Sequence, residues 1–239
     1  MSPTSRRILV ALLLLAGAAC AWLGFWQLDR LRERRVANRI AQHARDAAVV
    51  RLPEGLGAAG DLDLAHRRIV AVGRYDAANE IVVRGQVLNG LPGVHVVTPL
   101  RMAGTEVALL VNRGFVPSPD AVTAETDSLQ EGGEVRVEGV ALPLSSGGGR
   151  PIERREQTTW GRLDRDALAE RIPYPVLPVY LLQSPDSALP RLPRRLAAPP
   201  LGEGSHLNYA VQWFLFGGMS VVFAVIFVAR GDRLPRAPS

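Results

Sequence analysis

Two long apolar runs without a charged side chain dominate the pattern, one from Ile8 to Leu28 and one from Leu207 to Ala229. At about 1.5 Å rise per residue the first spans roughly 31 Å, the thickness of a bilayer's hydrocarbon core. Each run therefore predicts a transmembrane helix, at 8–28 and 207–229, with short tails at 1–7 and 230–239. Charge bounds both sharply: Arg6, Arg7, Asp29 and Arg30 around the first, His206 and Arg230 around the second. A cleaved signal peptide is the rival reading of the first run, since Arg6 and Arg7 precede it and Gly17, Ala18, Ala19 and Ala21 are small. The run continues through Trp22, Leu23, Gly24, Phe25 and Trp26, which favours a retained helix.

The intervening residues, 29–206, predict one mainly-β domain of α+β type. Leu31 to Ala48, free of Pro and Gly, reads as a helix continuing out of the first run. A break from Pro53 to Gly60 follows. Val-, Ile- and Leu-rich runs then predict strands at Arg67–Tyr75, Asn79–Leu88, Gly93–Leu100 and Glu106–Phe115. Val135 and Val137 alternate with Glu134, Arg136 and Glu138, the pattern of a half-buried strand over Glu134–Leu142. Ser145 to Pro151 is a Gly-rich loop, and it lacks the Lys-Ser/Thr that a phosphate-binding loop requires. A short helix is expected over Asp164–Ile172. Eight prolines between Pro173 and Pro200 mark an extended connector with a strand at Val176–Leu182.

Composition narrows the function classes. The formal net charge is +5 and all 28 basic residues are Arg, which together with abundant Ala, Gly, Val and Leu suggests a GC-rich bacterial gene. The charge argues for an anionic membrane surface, and no aromatic-interleaved basic patch or zinc-finger spacing supports nucleic acid. Cys20 is the only cysteine, so there is neither an internal disulfide nor a Cys pair for copper delivery. The four histidines, His43, His66, His95 and His206, lie too far apart for a local metal motif, and a G-x-S-x-G nucleophile elbow is missing.

The informative positions lie where the apolar runs meet the domain. Trp22 and Trp26 close the first run and Tyr209 and Trp213 open the second, so both pairs are expected at one membrane face. Gln27 and Gln212 fall at similar depth, and a buried amide needs a partner, so a Gln27–Gln212 contact is expected. His206, Tyr209, Trp213 and Phe216 share one helical face. An imidazole beside flat aromatic surfaces suits an axial haem ligand, but the residue pattern alone favours an interfacial His within an ordinary aromatic belt.

Several segments together resemble the surfeit locus protein 1 family. They are Leu23 to Arg30, Gly73-Arg74-Tyr75, Gly93 with Val97 to Leu100, Val111 to Pro117, Glu134 to Gly139, Trp160 with Leu163-Asp164, and His206 to Phe214. The resemblance implies a non-enzymatic factor for assembly of cytochrome c oxidase in the bacterial inner membrane. Its domain would be extracytoplasmic and both termini cytoplasmic. It implies haem a as a transient cofactor, with His206 as the iron ligand, Tyr209 and Trp213 beside it, and Arg113 and Arg84 pairing with propionates. Trp26, Gln27, Arg30 and Gln212 would pair the helices. The implied partners are oxidase subunits, chiefly the haem-bearing catalytic one, together with haem a synthase and the lipid bilayer. A cofactor-free scaffold that stabilises oxidase subunits is the alternative. Arg154-Arg155-Glu156-Gln157 replaces the Asn-Pro-rich approach to the Trp that many members show. The Arg residues at 30, 32, 34, 35, 39 and 45 outnumber Arg6 and Arg7, which read literally would hold the domain inside.

Overall fold

The structure is a computed structural model that describes residues 2–57, 63–147 and 150–231. Parts of the expected break at 53–60 and of the Gly-rich loop, and nearly all of the expected tail 230–239, lie outside the described residues. The chain separates into two compact units, Met1–Ile40 with Leu201–Ser239, and Ala41–Pro200.

The first unit is a pair of helices, α1 (Pro3–Asp46) and α4 (His206–Gly231). Both are long and apolar enough to cross a membrane. The apolar run 8–28 and the expected helix 31–48 are one uninterrupted α1, because neither Pro nor any strong breaker separates them. Small residues let the two helices approach. A Cβ built on Gly24 would stand 2.6 Å from the Phe214 ring, and one on Gly17 would stand 3.4 Å from the Gly217 carbonyl oxygen. Ala210 and Ala224 are buried in the same seam. Positions 17, 20, 24 and 27 of α1 thus face 206, 210, 214, 217 and 221 of α4, a spacing near 3.5 that keeps one stripe of each helix on its partner. Beyond the apolar run, Arg35 forms an ion pair with Glu203 at 2.8 Å, and Asn38 donates to the carbonyls of Leu201 and Gly202.

The second unit is β-rich. Its strands are β1 (Val50–Leu52), β2 (Arg68–Tyr75), β3 (Ile81–Leu88), β4 (Leu91–Arg101), β5 (Ala108–Pro117), β6 (Val135–Pro143), β7 (Ile152–Arg154), β8 (Gln157–Trp160) and β9 (Val176–Gln183). The helices α2 (Glu54–Gly57) and α3 (Arg165–Arg171) are short. The order β2-β6-β9-β5-β4 closes on itself, because the end of β4 returns to β2 through the pairs Arg74–Arg101 and Tyr75–Leu100. The first part of β4 pairs instead with β3, which carries β8 and β7 outward as an extension. One strand of 11 residues therefore serves both a closed ring and an open sheet.

Alternation distributes the apolar residues between two cores. Leu109 and Val111 of β5 join Ile69, Leu100, Val137 and Leu181 in the ring's core. Leu110, between them, faces Ile81, Val83, Val97, Trp160 and Leu168. Close strand approach explains the motif glycines. A Cβ on Gly73, Gly93 or Gly139 would meet a neighbouring carbonyl oxygen at 2.3, 2.3 and 2.0 Å. Asp164 caps α3 by accepting from the backbone N–H groups of Asp166 and Ala167, and this presents Leu168 to the second core.

The five Val-rich strands and the strand after Pro173 stand within two or three residues of their expected ends. Sequence reading omits β1, β7 and β8. Each has three or four residues, too few to show a period of two.

Candidate functional site

In the helical unit, Nδ1 of His206 lies 2.9 Å from Oε1 of Gln27. Both side chains are half-buried. His206 is the first residue of α4, and Gln27 lies one turn beyond Gly24 in the α1 seam, so close helix approach is what brings them together. With the Gln27 oxygen accepting, the imidazole proton sits on Nδ1 and Nε2 keeps its lone pair. A hydrogen bond of this kind fixes the ring and the tautomer of a metal-binding histidine.

The expected Gln27–Gln212 contact is replaced by this one. Gln212 is exposed, because the seam of α4 runs through 206, 210 and 214 and position 212 falls outside it. His206, Tyr209, Trp213 and Phe216 lie along one face of α4, where Trp213 and Phe216 meet edge to face at 6.1 Å and Tyr209 is 50% exposed. Phe214 packs edge to face on Phe25 at 5.3 Å, a contact foreshadowed only by Gly24, whose missing side chain makes room for it. Trp22 and Trp26 are exposed, and the Arg30 guanidinium lies over the Trp26 ring at 5.7 Å.

Arg113 and Arg84 belong to the β-rich unit and are engaged there. Arg113 is 1% exposed. Its guanidinium donates to Glu80 at 3.1 Å, to Glu131 at 2.8 Å and to the Leu129 carbonyl, and it lies over the Tyr75 ring at 4.9 Å. Arg195 also donates to Glu131. Burial disfavours the charge on Glu131, yet hydrogen bonds from Arg113 and Arg195 hold its carboxyl below the ordinary range. Burial pushes the Tyr75 phenol far up. Arg113 thus completes a buried ion network. Arg84 donates to the Thr159 carbonyl at 2.9 Å and so ties β3 to β8.

Sequence reading also passed over His95, on β4. It lies in a pocket of about 710 Å³ in the β-rich unit, with Asn112, Tyr180 and Leu196 among the lining residues. Its only sequence signal is a lone polar residue within a Val-rich strand.

Residues 14–218 match the model of the SURF1 family, a range that takes in most of the helix seam and the whole β-rich unit. A SURF1-like protein of Monosiga brevicollis is 28% identical over 240 residues, covering 88% of this chain and 84% of that protein. A SURF1-like protein of Rickettsia felis is 24% identical, with 86% and 89% covered. Surfeit locus protein 1 of Rattus norvegicus is 24% identical, with 84% and 70% covered. With the family model spanning most of its length, and the matched motifs placed at the helix seam, the ring-closing glycines and the buried Arg113 network, this chain belongs to the SURF1 family.

Proposed function

We propose that the protein is a non-catalytic, membrane-anchored assembly factor for cytochrome c oxidase. α1 and α4 cross the bacterial inner membrane, the β-rich unit lies outside the cytoplasm, and the His206 end of the helix pair handles haem a for the oxidase's catalytic subunit. The observation that carries the haem reading is the Gln27–His206 hydrogen bond. Haem a, when bound, would be held by His206, and its iron would accept an imidazole nitrogen. The donor fits: with its Nδ1 proton held by Gln27, His206 has the Nε2 lone pair that such a ligand needs. Trp213 and Phe216 supply apolar surface on the same helix. Oxidase subunits, with haem a synthase as the donor of the cargo, are the partners this reading requires.

The cofactor-free scaffold remains the second reading. It is favoured by the commitment of Arg113 and Arg84 to the domain's own structure, which leaves the propionates without those two partners. Optical spectra separate the two. Protein purified from cells that make haem a should show a Soret band that disappears in His206→Ala; a colourless wild-type protein would leave the scaffold. Deletion of the gene should lower oxidase activity and membrane haem a content, and unchanged values of both would sink the assembly role itself.

A further inference from the structure

The pocket beside His95 is built like a ligand site and is separate from anything invoked above. Its walls are mainly apolar, among them Val83, Leu142, Leu163 and Leu182, and Leu196, Ala197 and Pro199 of the Pro-rich connector line it as well. A volume of about 710 Å³ is in the range of small-molecule sites.

The polar groups in it have fixed roles. Oδ1 of Asn112 accepts from the Gly114 backbone N–H at 3.0 Å, which orients the amide. Its Nδ2 is therefore turned to Nδ1 of His95, 3.3 Å away, and donates there. An imidazole that accepts at Nδ1 carries its proton on Nε2. Burial lowers the His95 pKa to about 4, so the ring stays neutral at physiological pH and Nε2 remains a donor. Burial likewise raises the Tyr180 pKa, which keeps its hydroxyl protonated. Neither Nε2 of His95 nor the Tyr180 hydroxyl has a hydrogen-bond partner among the described residues.

We propose that this pocket binds an uncharged, largely apolar molecule carrying a carbonyl or hydroxyl oxygen, which accepts hydrogen bonds from His95 Nε2 and the Tyr180 hydroxyl. A carboxylate fits worse. Arg162 is the one cation in the lining; it is exposed, and it already donates to the Gly147 carbonyl. An anion held by His95 would be desolvated among apolar walls without a counter-charge.

Three probes of one ring system test this on the full-length protein in detergent: acetylnaphthalene, naphthalene and naphthoate. Saturable binding of acetylnaphthalene is expected, with naphthalene about tenfold weaker for want of an acceptor and naphthoate weaker than acetylnaphthalene. Leu196→Trp, which fills the pocket, should abolish saturable binding, and micelle partitioning cancels between the two proteins. Should that variant fail to fold, Ala197→Phe closes the same side from an exposed position. Tyr180→Phe, which deletes only a hydroxyl, should weaken acetylnaphthalene several-fold and leave naphthalene unchanged. The proposal is overturned by undiminished binding in the filled variant, by naphthoate binding more tightly than acetylnaphthalene, or by no saturable binding of any probe.

Discussion

Arg113 and His206 both lie in segments that resemble the family, and the two units treat them in opposite ways. In the β-rich unit the motif residue is consumed by the fold. Arg113 has two carboxylates, a carbonyl and an aromatic face around it. In the helical unit, His206 has one hydrogen bond, to Gln27, and one ring nitrogen left over. A buried charge that is paired through both terminal nitrogens of its guanidinium explains its own presence, because losing it leaves carboxylates short of a counter-charge. A half-buried imidazole with a spare lone pair is not explained by packing, and it is the better candidate for work on something outside the chain.

The sharpest way to break this comparison is at the strand glycines. Gly139→Val puts a side chain where the Leu182 carbonyl oxygen already stands at 2.0 Å from an ideal Cβ. It should leave no folded β-rich unit, measured as loss of protease-resistant protein. Survival of that unit would mean that the motif glycines are not closing the ring.

Next in size is Arg113→Met, which leaves Glu80 without its cation and Glu131 with Arg195 alone. We expect a loss of about 3–5 kcal/mol in chemical denaturation of the β-rich unit. A loss below about 1 kcal/mol would return Arg113 to the list of ligand-binding residues.

Acid should act on the same unit through His95. Its pKa is lowered to about 4 in the fold, so between there and its ordinary value near 6.5 the unfolded chain binds more protons. Stability from this group is therefore fully present above about pH 6.5 and is lost as pH falls toward about 4, by on the order of 2–3 kcal/mol. His95→Gln should flatten that part of the stability profile. An unchanged slope would show that other groups govern it.

The smallest structural effect is expected at the helix pair. Gln27→Leu should leave the β-rich unit's stability unchanged and weaken haem retention by about tenfold, as loss of a ligand-orienting partner does. Gln212→Leu should change neither quantity, since that amide lies outside the seam. Equal effects of the two substitutions on the Soret band would erase the distinction drawn between them.

The sequence by itself determined the two apolar helices, the Val-rich strands and the family. Each is written in local periodicity, in the absence of charge over enough residues, or in short motifs whose order survives. His206 was legible as a candidate for the same reason, standing at the boundary of an apolar run. Tertiary structure alone decided its partner: Gln27 stands 179 residues away, and only the approach and rotation of the two helices bring it to Nδ1. It also decided the fate of Arg113, since Glu80 and Glu131 stand 33 and 18 residues away and meet it only once strands are registered. The pocket at His95 needs β4, β5, β9 and the Pro-rich connector together. A cavity is a property of surfaces brought together from distant segments, and no window of sequence contains it.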